Sequence, residues 1–225
     1  MTRKSALLSF IILGYFLSGC GSVQSSSRLP YKKLKKFEAH YFEGAKQKVL
    51  NNKSLAIESF QAALDIDPKC HECMYQLGSL YFRDKQYESS LEWSEKAVKQ
   101  VQYNHWYSGQ LAQVYYTVGK FQESAETFEK MIAEEPKAGN LYMEAVNQYL
   151  NANNPKKALQ VLDKMEASIG VTEQSATRKE FIDMKLGRQN DAIQAIQSLV
   201  DAYPDQHEFK GYLAETLISA GKSEQ

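Results

Sequence analysis

The chain has 225 residues and carries 27 basic against 27 acidic side chains, a balance that excludes a general nucleic-acid binder, which shows a strong basic excess. The length suits one domain of moderate size, and a mean hydropathy of −0.50 makes the body of the chain water-compatible.

The chain opens on Arg3 and Lys4, followed by an apolar run over residues 6–16 that is too short to span a bilayer. Leu17-Ser18-Gly19-Cys20 comes next. A hydrophobic residue, two small ones and a cysteine look like the bacterial lipobox. That resemblance implies removal of residues 1–19 as a signal peptide and lipidation of Cys20, with palmitate among the acyl groups expected. Several acyl chains on one cysteine anchor stably where a single chain is marginal. An ordinary signal peptide or a retained membrane anchor is the other reading. Cleavage removes Arg3 and Lys4 and no acid, leaving 25 basic and 27 acidic residues, a net charge of −2. Residue 21 is Gly, not Asp. By similarity to enterobacterial sorting this favours the outer membrane, facing the periplasm.

Residues 20–36 read as a lipidated tether and basic linker. Gly-Ser-Val-Gln-Ser-Ser-Ser at 21–27 is flexible in composition. Arg28, Lys32, Lys33, Lys35 and Lys36 then precede the first acid, Glu38. This cluster reads first as a solvated helix start after Pro30. Contact with anionic headgroups is the second reading.

From Phe37 onward a period of 34 residues organises the chain. Pro68, Pro136 and Pro204 are spaced by twice that period, and Gly119-Lys120, Gly187-Arg188 and Gly221-Lys222 keep the same phase. With Phe37 as position 1, units begin at Phe37, His71, His105, Gly139 and Glu173, and a partial sixth begins at His207. Position 8 holds Gly44, Gly78, Ala112 and Ala214; position 11 holds Tyr81, Tyr115 and Tyr149; position 20 holds Ala56, Ser90, Ser124, Ala158 and Ala192. Small residues at 8 and 20 let two helices approach, and the aromatic at 11 fills the space beside them. Proline at position 32 ends the second helix, and glycine near 15 suits a turn with positive φ. An ordinary helical bundle with accidental spacing is the alternative.

These positions resemble the tetratricopeptide (TPR) family over roughly residues 37–221. The resemblance implies an all-α solenoid of antiparallel helix pairs: five units over 37–206 and a final helix or incomplete sixth unit over 207–225. Unit 5 departs most, with Glu180 and Asp183 at positions 8 and 11, and unit 4 has Val146 at position 8 and Gly170 in place of proline. In that family, first-helix positions 2, 5, 9, 12 and 13 line a concave groove. Carried over, they give Tyr41 and Lys48 in unit 1; Tyr75, Phe82 and Arg83 in unit 2; Trp106, Gln113 and Tyr116 in unit 3; and Asn140, Met143, Asn147 and Asn151 in unit 4. Aromatics and arginine are enriched at binding hot spots, and asparagine amides suit a peptide backbone. Packing between units is the other role for these aromatics. The family's carboxylate clamp is not expected, because Tyr41 and Ala45 stand where it would start.

Cys70 and Cys73 follow Pro68 at a helix start. A local disulfide, a redox pair or part of a metal site are the three readings. Zinc needs four ligands, and with His71 the cluster supplies at most three; haem attachment needs histidine where Met74 stands. His71, His105 and His207 share position 1 and lie too far apart to join one metal. No HExxH, nucleophile elbow, Walker loop or dinucleotide fingerprint occurs. The expected function is a non-catalytic, membrane-anchored scaffold or adaptor that assists assembly of an envelope complex. No cofactor, nucleic acid or small-molecule substrate is expected. A thiol-redox or metal-carrying envelope protein using Cys70 and Cys73 is the alternative.

Overall fold

The computed structural model describes residues 29–222; the lipobox, Cys20 and the tether at 21–27 lie outside them. Eleven helices follow in order: α1 (Tyr31–Val49), α2 (Lys53–Ile66), α3 (His71–Arg83), α4 (Tyr87–Lys99), α5 (His105–Thr117), α6 (Phe121–Glu134), α7 (Gly139–Asn151), α8 (Pro155–Ile169), α9 (Glu173–Lys185), α10 (Gln189–Ala202) and α11 (His207–Ser219). Among the described residues there is no strand. Each helix packs chiefly on its chain neighbours, which gives five antiparallel pairs and a last single helix. The expected all-α solenoid is what forms.

Helix starts keep the period. First helices begin at 71, 105, 139, 173 and 207, and second helices at 53, 87, 121, 155 and 189. The exception is α1. It begins at Tyr31, six residues ahead of the expected unit start, so residues 31–36 are helical and not linker. Pro30 sets this boundary: its carbonyl accepts from the Lys33 and Leu34 N–H groups at 2.8 and 2.9 Å. Phe37, buried one turn later, holds the extended helix down.

The turn inside each of the five pairs has one left-handed residue, and so does the end of α11. Asn51, Lys85, Gly119, Asn153, Gly187 and Gly221 have φ between 54 and 77°. The residue after each donates its N–H five residues back, Asn52 to Gln47, Gln86 to Tyr81, Lys120 to Tyr115, Asn154 to Tyr149, Arg188 to Asp183 and Lys222 to Leu217, at 2.8–2.9 Å. This is the bonding of a Schellman cap, which satisfies carbonyls that a helix end leaves open. Glycine and asparagine tolerate this φ; lysine does so at about 1 kcal/mol or more.

Proline acts differently from the sequence expectation. Helices α2, α6 and α10 stop two residues before it, and Asp67, Glu135 and Tyr203 take φ near −130°. The restriction falls on the residue preceding proline, not on the missing N–H alone.

Close approach between paired helices rests on the small residues. A Cβ at Gly44 would sit 3.0 Å from the Phe60 ring, and one at Gly78 would sit 2.7 Å from Ser94 Oγ. Ser90 and Ser124 each donate a hydroxyl across the pair to a position-8 carbonyl, of Gly78 at 2.9 Å and Ala112 at 2.8 Å. The buried apolar residues gather in three clusters: units 1–3 around Phe60 and Leu77, units 3–5 around Tyr149 and Leu162, and the C-terminal helices around Ile196 and Phe209.

Unit 5 does form its first helix. Thr172 and Ser175 exchange side-chain-to-backbone hydrogen bonds as a capping box at the start of α9. Its position 11 is Asp183, only 3% exposed where units 2, 3 and 4 place tyrosine. Asp183 Oδ1 lies 3.2 Å from Arg188 Nε but without hydrogen-bond geometry. Burial raises the Asp183 carboxyl above the usual range, and Arg188 offsets part of that.

Lys85→Gly is expected to stabilise the protein by about 0.5–1 kcal/mol, the relieved backbone strain outweighing the added unfolded-state freedom; a urea midpoint at or below that of the parent protein would contradict it. For Asp183 the folded value lies above the unfolded one. Its contribution to stability is therefore complete below about pH 3.9 and is lost as pH rises through the folded value. Asp183→Asn should flatten stability against pH over the acidic to neutral range and raise it at neutral pH by about 1 kcal/mol. An unchanged pH slope would show that Arg188 already neutralises the group.

Candidate functional site

The side chains expected to line the groove divide by what their helices pack against. Trp106 is 72% exposed. It stands one residue inside the start of α5, its ring edge-on to His105 at 5.5 Å. Gln113 follows seven residues on, on the same helical stripe, and Tyr116 is also exposed. Tyr116 rests against Phe121 at 5.8 Å. Asn140, Asn147 and Asn151 lie along one side of α7 at similar spacing, exposed or half-buried.

Three residues turn elsewhere. Met143 is 6% exposed and belongs to the core of units 3–5, so it is removed from the groove. Tyr75 stacks on Tyr107 at 4.7 Å, and Tyr41 packs edge-on to Phe60 at 5.8 Å; both fill the joints between helices. In unit 2, Phe82 is half-buried against Tyr87 at 5.6 Å. Arg83 is exposed, with its guanidinium 3.4 Å from Asn51 Oδ1. Lys48 donates to Gln76 Oε1 at 2.5 Å, which spans units 1 and 2.

A cleft of about 460 Å³ opens where α5, α7 and α9 face one another. Ala112, Phe128 and Leu150 give it an apolar lining, and Gln113, Asn147, Gln148 and Asn151 supply amides. Glu144 and Arg178 add one charge of each sign, and Tyr116 adds a ring. Ser124 also borders the cleft, but its hydroxyl is committed to the Ala112 carbonyl. Amides donate and accept at once, which matches the alternating N–H and C=O of an extended chain. Glu144 and Arg178 were absent from the expected set. Both occupy position 6 of their units, and the sequence signal was available: position 6 lies within one helical turn of positions 2, 5 and 9.

A family model for the tetratricopeptide repeat matches residues 49–105. Among solved structures, YrrB, described as a TPR protein with an unusual peptide-binding site, is 13% identical with a TM-score of 0.55, covering 77% of this chain and 89% of its own. A tetratricopeptide repeat protein from Parabacteroides merdae is 16% identical with a TM-score of 0.56, over 84% of this chain and 75% of its own. The protein MamA is 14% identical with a TM-score of 0.57, over 77% of this chain and 95% of its own. The chain has the fold of a tetratricopeptide-repeat solenoid. No curated protein sequence matches it, and at these identities the structures speak for the fold. TPR folds serve protein–protein interaction, and no catalytic family is indicated.

In the TPR frame the cysteine pair sits at the α2–α3 joint. Cys70 and Cys73 are joined as a disulfide with Cα atoms 5.3 Å apart, and both are fully buried. Cys70 is the N-cap of α3, where its Sγ accepts the Cys73 N–H at 3.1 Å. His71 Nδ1 is occupied by the Tyr107 hydroxyl at 3.0 Å and by Glu72 at 3.1 Å. With the sulfurs bonded to each other and sealed beneath the joint, this geometry offers neither a thiolate ligand nor an exposed redox centre. Nor, among the described residues, do three His, Cys, Asp or Glu side chains gather as a metal site.

The bridge closes a loop of only a few residues, so replacing both cysteines with serine should lower stability by about 1–2 kcal/mol without touching the cleft 40 residues onward in sequence. Thermal melting and peptide binding of the double variant check this together. Retained folding with lost binding would return the cysteines to the functional site.

Proposed function

We propose that this protein is a membrane-tethered adaptor that holds an extended segment of a partner protein in the α5–α7–α9 cleft, in the bacterial envelope. The observation that carries the reading is the cleft itself: amides from two neighbouring first helices border a shared apolar floor, and Trp106 stands exposed two turns before Gln113 on α5. Trp106 at 72% exposure leaves a large apolar ring in water, and such a ring contributes strongly when a partner covers it. The tether rests on the sequence alone. A charged start, a short apolar run and Leu17-Ser18-Gly19-Cys20 stand in the order of a lipoprotein signal. No helix among the described residues is long and apolar enough to cross a membrane, so anchoring in this reading falls to the lipid. The thiol-redox alternative has lost its support, because the two sulfurs are buried.

The cleft is tested by variants that change its chemistry but not its packing. Trp106→Ala and Asn147→Ala should each weaken capture of the partner by about 1–2 kcal/mol, roughly five- to thirtyfold. Trp106→Ala should leave the melting temperature nearly unchanged, since an exposed side chain loses little packing. A photo-crosslinker at Gln113 in intact envelopes should capture the same partner that Trp106→Ala releases. Unaltered capture by both alanine variants would overturn the assignment of this face.

A further inference from the structure

The first helix differs from α3 and α5 on the side that in them meets the preceding pair. Unit positions 3, 7 and 10 bury Cys73, Leu77 and Leu80 in α3, and Tyr107, Leu111 and Val114 in α5. In α1 the same positions are Ala39, Glu43 and Lys46, with Lys46 Nζ 3.2 Å from the Glu43 carboxylate. This surface is a polar cap, suited to ending an array.

Beside that cap lies largely exposed apolar surface, whose contacts are the edge of Phe42 on Tyr41 and Lys35 over the Tyr31 ring. Tyr31, Phe42 and Val49 follow one stripe along α1 and are 72%, 65% and 86% exposed. Lys35 stands on the same stripe, and Leu50 and Leu55 continue the exposed apolar surface past the α1–α2 turn. Lys32, Lys33 and Lys36 ring the helix start, all exposed. At 1.5 Å per residue, these lysines fall within about one Debye length of one another.

Charge is also polarised along the solenoid. Six lysines less two glutamates give α1 a net charge of +4. At the far end, residues 189–219 carry Asp191, Asp201, Asp205, Glu208 and Glu215 against Lys210 alone, a net charge of −4.

We infer that the α1 face docks on an anionic phospholipid surface and sets the solenoid end-on to it, with α10 and α11 directed away. This deepens the proposed function and rests on its tether. Cys20 precedes Tyr31 by 11 residues, so an acyl anchor there keeps α1 within at most about 40 Å of the bilayer. The lysines meet lipid phosphates, while Tyr31, Phe42 and Val49 enter the headgroup boundary as an interfacial helix does. A second α1 laid on the stripe is disfavoured in either direction. Lys32–Lys36 would face their own copies in a parallel pair, and Lys46 and Lys48 in an antiparallel one. An acidic protein surface, including α10–α11 of another copy, is the competing occupant.

The test uses the unacylated chain from residue 21, which keeps all eleven helices, so that binding reports the face and not the lipid. It should co-sediment with phosphatidylcholine vesicles containing phosphatidylglycerol, not with phosphatidylcholine alone, and binding should fall as salt rises. Each of Lys32, Lys33, Lys35 and Lys36 changed to glutamine should reduce partitioning about fivefold at low salt. Phe42→Ser with Val49→Ser should weaken it at unchanged charge. Equal binding to neutral vesicles, or full binding after all four lysines are replaced, would overturn the proposal. So would concentration-dependent self-association without vesicles that the lysine variant abolishes. The tether is decided separately by labelled palmitate in the full chain and in Cys20→Ala. Vesicle binding without labelling removes the lipid anchor and leaves the α1 face standing; labelling without vesicle binding does the reverse.

Discussion

One left-handed residue in each turn sets how far the two helices of a pair can separate. At Asn51, Lys85, Gly119, Asn153 and Gly187 the chain reverses in a fixed number of residues. The following N–H closes back on the end of the first helix in the same way each time. A rigid reversal leaves no slack between the helices. Small residues suit the place where they cross, and glycine, alanine or serine recurs at positions 8 and 20, with Val146 and Glu180 the exceptions at position 8. The serine hydroxyls of Ser90 and Ser124 turn the close approach into hydrogen bonds across the pair. Lys85 shows the strength of the constraint: the fold imposes the left-handed conformation even on a residue that resists it.

Because each pair is rigid, variation is displaced to the faces that the pairs do not share. The cleft bordered by α5, α7 and α9 carries amides, and Trp106 stands exposed near the start of α5. Where a unit breaks the pattern inside, the neighbouring chemistry adjusts. Asp183 replaces the buried tyrosine of unit 5, and Arg188, at the end of the same turn, supplies the compensating charge. Lys179 joins α9 to α8 through Asp163, at 2.7 Å, and through Glu166. The joint between units 4 and 5 thus carries ion pairs, as does the joint between units 3 and 4 through Lys157–Glu126 and Lys164–Glu129, and the cleft is bordered by that same α9 through Arg178. A partner segment bound there would touch both the apolar units and the polar one.

The disulfide belongs to the same logic of joints. It locks the first turn of α3, directly beneath the Tyr75–Tyr107 stack and the His71–Tyr107 contact. Its burial makes it part of the spine that carries the cleft.

How much was legible depended on whether a property repeats. The 34-residue period, the helix starts from His71 onward, the turn glycines and the small residues follow from the chain alone, because each is imposed by local backbone geometry that recurs in every unit. The helix start after Pro30 was legible from the proline and the solvated lysines that follow it, but its fusion with the first helix of unit 1 was not, since nothing before Phe37 repeats. Asn51, Lys85 and Asn153 were not legible as left-handed residues, because only the fold forces them to share the conformation of glycine. Groove residues were legible as a set but not one by one. Trp106 and Met143 both occupy groove positions on first helices, yet one lies in water and the other in the core. The superhelical stacking of the units decided that, together with the meeting of Glu144 and Arg178 with Asn147 in one cleft. Such contacts depend on how far each pair is rotated against the next, a quantity summed over many packing contacts and written at no single position of the sequence.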